Sequence, residues 1–260
     1  MAVSPTVSFE FFPPHSKDAE TQLWNVMEKL APLGPAFFSV TYGAGGSTRS
    51  RTEQLVERIH TSMPVNPAAH LTCVGATQVE IETLAKSWWA AGIRHIVALR
   101  GDPPKGESSY TPHPNGFENA SALVAGLRKI ADFEISVAGY PENHPDSPNQ
   151  SADLDNLKRK VDAGATRILT QYFFDNDLFY RFRDAAAATG ISVPIIPGIL
   201  PVTNFAKVVE FSGKCATTVP TSMASQFEGL DNDPETRNLI AASVAIEQCA
   251  DLSANGVDAF

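Results

Sequence analysis

Residues 134–174, EISVAGYPENHPDSPNQSADLDNLKRKVDAGATRILTQYFF, decide the fold. Glu134–Gly139 is a short β-prone apolar run and predicts a strand. In SADLDNLKRKVDAG, Ser151 can cap a helix, Leu154, Leu157 and Val161 make a stripe of helical period, and Gly164 ends it. Thr166–Phe174 is again strand-like. The stretch is one βαβ unit, with a long Pro- and Asn-rich loop at one end of the helix and a short DAGATR turn at the other.

The same alternation runs outward in both directions. Strands are predicted at Val7–Phe12, Ala36–Tyr42, Ala68–Val74, His95–Arg100 and Val193–Leu200 besides the two above. Helices are predicted near 18–31, 49–62, 77–91, 118–130, 151–163, 176–188, 203–212 and 234–254. Gly92 and Gly190 close two of them. Repeated βαβ units mean a parallel sheet. Seven units in a chain of 260 residues point to a (β/α)8 TIM barrel in one domain, 1–260. The chain stops at NGVDAF, where an eighth strand should begin. The expectation is therefore an α/β barrel whose eighth strand is missing through C-terminal truncation.

Net charge is −9 with charges interspersed, so nucleic acid and anionic membrane are not expected partners. No apolar run is long enough for a membrane helix. No basic segment followed by an apolar stretch opens the chain. Cys73, Cys215 and Cys249 are far apart, outside any CxxC spacing, and read as reduced thiols of a cytoplasmic protein.

In a parallel barrel, function sits at the C-terminal ends of the strands. The long loops GAGGSTRS, GDPPKGESSYTPHPNG, YPENHPDSPNQ and PGILPVTN follow strands at that end. Glu10, Thr41, His70, Asp102, Tyr140, His144 and Gln171 lie at or near strand ends. Glu10 stands out, a carboxylate inside the aromatic run VSFEFFPP. Alternation places Ser8, Glu10 and Phe12 on one face of that strand and Val7, Phe9 and Phe11 on the other. A metal site of Glu10, His70, Asp102 and His144, as in a barrel hydrolase or lyase, is one alternative, although no tight His-x-His spacing supports it. No Gly-x-Ser-x-Gly elbow is present, and GAGGSTRS is neither a GxGxxG nor a Walker loop.

SFEFFPP, FFSVTYGAGGS, AHLTCVGAT, GIRHIVALRGDPP, ISVAGYPENHP, LKRKVDAGATRILTQYFFD and IIPGILPVTNF together resemble the methylenetetrahydrofolate reductase family, bacterial type with the catalytic barrel alone. The resemblance runs in order through most of the chain. It implies a flavoprotein of one-carbon metabolism and methionine biosynthesis. Hydride passes from NADH or NADPH to FAD, then to 5,10-methylenetetrahydrofolate, giving 5-methyltetrahydrofolate. It implies Glu10 as general acid, and burial among apolar walls would raise its pKa. Asp102 would sit beside flavin and pterin. Gln171 and Phe211 would contact folate and, in turn, nicotinamide. FAD contacts would come from Thr41, Tyr42, Ala44, His70, Arg100, Gly101, Asp102, Ala120, Tyr140, His144, Asp153, Asn156, Arg159 and Lys160. Helical spacing sets Asp153, Asn156 and Lys160 on a face away from the Leu154 stripe, either solvated or turned to ribose and pyrophosphate. No metal is implied. A homo-oligomer is compatible with the family. A non-catalytic folate or flavin binder is the other alternative.

Overall fold

The computed structural model describes residues 5–43, 49–103, 106–107 and 109–260. The elements are β1 (Phe9–Phe11), α1 (Lys17–Leu30), β2 (Phe38–Val40), α2 (Arg49–Ser62), β3 (Pro67–Thr72), α3 (Gln78–Ala91), β4 (His95–Leu99), α4 (Ala120–Ile130), β5 (Glu134–Gly139), α5 (Gln150–Asp162), β6 (Arg167–Tyr172), α6 (Asn176–Ala188), β7 (Ile195–Gly198), α7 (Phe205–Cys215), α8 (Thr221–Phe227) and α9 (Pro234–Ala254). The strands follow one another in chain order. The chain divides into two compact units, one of Thr6–Ala138 and Arg159–Ile168, the other of Gly139–Lys158, Leu169–Phe260 and Pro5.

In the first unit, β1 to β5 pair in parallel, each with the next. Residues opposite one another in a parallel ladder point to the same face. One face carries Phe11, Val40, Ala69, Ile96 and Ile135 in register, then Leu71, Ala98 and Val137. All of these are buried. The helices meet them with their own stripes: Leu55, Val56 and Ile59 on α2, Ile81, Ala85 and Trp88 on α3, Leu123, Val124 and Leu127 on α4. Each large side chain so buried contributes roughly 1.5–3 kcal/mol. The other face carries Glu10, Ser39, Ala68, His95 and Glu134 in register, then His70, Val97 and Ser136. It is the polar face.

Local signals set the helix ends. Thr77 and Glu80 form a reciprocal capping box at the start of α3, and Gly92 ends it with φ 97°. Asn119 caps α4. The cap of α5 is Asn149, whose Oδ1 accepts from the Ala152 N–H, rather than Ser151, which lies inside the first turn.

The second unit is built around α6 to α9. Val202, Val208, Met223, Phe227 and Ala241 form one apolar cluster, and Phe173, Phe179 and Leu252 another. Asn176 and Tyr180 of α6 both donate to the Asp251 carboxylate of α9. The Gln248 amide donates to the Phe173 carbonyl at 2.8 Å. Helix α8 has no counterpart in the sequence reading, because seven residues after Pro220 are too few to show a period. Beyond α9, Ala259 forms an isolated bridge, and Val257 and Phe260 pack on the second cluster. A bridge residue thus stands in the segment where the eighth strand was expected to be missing, beside residues in apolar packing. The strands are also shorter than expected at several ends: Phe12 lies beyond β1 and is 69% exposed.

Candidate functional site

Glu10 is the middle residue of β1 and the register partner of Ser39 on β2. Its side chain is 52% exposed, while that of His70 on β3 is buried. His70 Nε2 lies 3.3 Å from Glu10 Oε2. That is an ion-pair distance, but the N–H does not point along it, and the nitrogen has no aligned acceptor. The protein packed around Glu10 pushes its carboxyl up although half of the side-chain surface is open, yet the nearby His70 imidazole and the Ser39 hydroxyl outweigh it, so the group sits below the ordinary carboxylate value. The apolar walls of the aromatic run predict the opposite sign; the two polar partners that β2 and β3 bring alongside reverse it.

Thr41 and Tyr42 follow β2. The Thr41 N–H donates to the Phe11 carbonyl, and its own carbonyl accepts from the Thr52 hydroxyl. The Tyr42 hydroxyl accepts from Arg49 Nε at 2.6 Å, and burial pushes the phenol up against that partner. Ala44 lies outside the described residues.

At the end of β4 the Arg100 carbonyl accepts from the Val74 N–H, and the guanidinium lies 4.8 Å over the Tyr110 ring. Gly101 has φ 87°, and a Cβ there would meet Val74 Cγ1 at 2.5 Å, so no other residue fits this turn unstrained. Asp102 follows it, exposed. Ala120 opens α4 behind the Asn119 cap. Arg159 is exposed, whereas Lys160 is buried and donates to the Ala138 carbonyl at 2.6 Å. The solvated face considered for Lys160 is not what forms: its long stem carries the ammonium back to the end of β5.

In the second unit, the rings of Tyr140 and His144 meet edge to face at 4.6 Å. The His144 N–H donates to Asp153 Oδ2, which ties this loop to α5, where Asn156 also lies half-buried. Gln171 Oε1 accepts from the Tyr172 N–H. Phe211 on α7 stacks on Tyr172, 5.8 Å between centroids and 18° between planes, and is 43% exposed. Phe211 and Tyr172 are thus brought together, while strand alternation turns the Gln171 side chain to the other face of β6 from the Tyr172 ring.

The structure adds Ser39, Tyr110 and Arg49 to these residues. Ser39 carried a signal, a hydroxyl between Phe38 and Val40 in a buried strand. Tyr110 lies in a loop, and Arg49 partners a residue across another, where no periodicity operates. Among the described residues no group of three or more His, Cys, Asp or Glu could hold a metal ion. No helix among them is long and apolar enough to cross a membrane.

The family model for methylenetetrahydrofolate reductase matches residues 2–260. The chain belongs to the methylenetetrahydrofolate reductase family. Its similarity to the 5,10-methylenetetrahydrofolate reductases of Salmonella typhimurium and Escherichia coli is 49% identity over 254 residues, covering 98% of this chain and 84% of each relative. Against methylenetetrahydrofolate reductase (NADH) 1 of Arabidopsis thaliana it is 37% identical, covering 96% of this chain and 44% of the plant protein. Membership in the reductase family makes the chain an enzyme. Among solved structures, a Clostridium thermocellum protein that binds two copies of 5-methyl-5,6,7,8-tetrahydrofolic acid matches with a TM-score of 0.62 at 13% identity, covering 99% of this chain and 87% of that one. A phosphonopyruvate hydrolase matches at 0.53 and 15%, covering 97% and 93%. At such identities these two likenesses bear on the fold alone, strands and helices alternating around a parallel sheet.

Proposed function

We propose that this chain reduces 5,10-methylenetetrahydrofolate to 5-methyltetrahydrofolate, with FAD as the hydride carrier and NADH or NADPH as co-substrate. Family membership and the names of its relatives support the reaction. The observation that carries the mechanism is Glu10, a half-exposed carboxylate on the polar sheet face. A pterin covering that surface removes the water that stabilises the charged form, so Glu10 takes up a proton as substrate binds. The Glu10 carboxyl then protonates the bridging folate nitrogen. The five-membered ring opens to an iminium, whose carbon accepts the hydride and becomes the methyl group.

The chain's residues fit a flavin. His70 Nε2 and Thr72 Oγ1, on the same face of β3, are buried polar atoms without an aligned partner. FAD, when bound, supplies the hydride. Thr41, Tyr42, Ala44, His70, Arg100, Gly101, Ala120, Arg159 and Lys160 of the first unit would hold it. The Asp102 carboxylate would favour hydride donation by opposing extra negative charge beside it. Gln171 offers a donor and an acceptor to folate, and Phe211 an aromatic face.

The visible spectrum tests this reading. The purified protein should be yellow or become so with FAD, bleach with anaerobic NADH or NADPH, and recover its colour with methylenetetrahydrofolate. Bleaching without recovery contradicts folate reduction. A chain that takes up no FAD contradicts the flavin assignment.

A further inference from the structure

Glu10 is approached by Ser39 from β2 and by His70 from β3. On the far side of His70 stands His95 of β4, and Arg167 acts on His95 in turn. His95 is held neutral by burial, so the charge that bears on Glu10 comes from His70. The His70 nitrogen is buried, its N–H has no aligned acceptor, and the Glu10 carboxylate is 3.3 Å away. A buried N–H left unbonded is costly, and a short movement of the half-exposed carboxylate satisfies it.

We propose that His70 is a positioning residue for Glu10: its imidazole tethers the carboxylate on the polar sheet face and sets the pH at which Glu10 takes up its proton. This rests on the acid role given to Glu10 above. The tether keeps the free enzyme's carboxylate charged. Protonation is then coupled to the arrival of a ligand that covers the exposed half. The proton comes from solvent through that half, where the Glu10 side chain is open.

The test is a carbon-13 NMR titration of the glutamate carboxyls in the full chain with whatever flavin it carries. The Glu10→Gln spectrum identifies the Glu10 resonance. His70→Gln removes the imidazole charge and keeps an N–H donor of similar reach. It should raise the Glu10 midpoint by about one pH unit or more, the usual effect of losing an opposite charge at this range. Ser39→Ala should raise it less. An unmoved midpoint in His70→Gln overturns the proposal, as does a larger shift in Ser39→Ala. Should His70→Gln fail to fold, His70→Asn removes the same charge and is read in the same way. If the midpoint moves but Glu10→Gln still reduces folate, the tether stands and the acid role falls. If Glu10→Gln loses folate reduction and the midpoint is unmoved, the acid role stands and the tether falls.

Discussion

His70 and His95 lie on adjacent strands of one sheet face, both buried, and do different things. His70 meets a carboxylate that is half open to solvent. His95 meets the Ser136 hydroxyl at 2.7 Å under the edge of the Phe37 ring, and burial, with Arg167 and His70, lowers its pKa to about 3. The ring is the same and the burial similar, so the partner decides the chemistry. A neutral hydroxyl makes a structural histidine, while a carboxylate facing solvent gives the other ring the partner that the proposed tether requires.

This contrast can be broken most strongly with acid. His95 folds neutral and unfolds with a pKa near 6.5, so below that pH the unfolded chain binds a proton the folded one refuses. Stability should therefore fall as pH drops from about 6.5 toward 3, by roughly 1.4 kcal/mol per pH unit from this residue alone. Urea midpoints for wild type and His95→Gln across that range isolate the term. Equal slopes in the two proteins would mean that His95 is charged when folded, like a functional histidine. The smaller effect is Ser136→Ala, which leaves the His95 ring nitrogen unpaired and should cost about 1–3 kcal/mol in a denaturant melt. The same substitution should leave the Glu10 titration unmoved, because Ser136 bonds the structural histidine and not the tether.

Much of this contrast was legible in the sequence, and its sign was not. The βαβ order follows from periodicity and turn residues, which are local. The face of Glu10 follows from strand alternation alone. Its ionisation depends on Ser39 and His70, which only sheet register brings beside it, so the reading that saw apolar neighbours predicted a raised pKa. Lys160 shows the same limit: helical spacing placed its Cα correctly, but the reach of its stem to Ala138 is a tertiary fact. Tyr110 belongs to a loop and showed no pattern, although its ring supports Arg100.

The most direct measurement takes Glu10→Gln through the two half-reactions separately in an anaerobic stopped-flow cell. Bleaching by NADH or NADPH should proceed as in wild type. Recovery with methylenetetrahydrofolate should slow by about 10²–10⁴-fold, the usual contribution of a positioned acid. Wild-type recovery in this variant, or an equal loss of both steps, would contradict Glu10 as the proton donor.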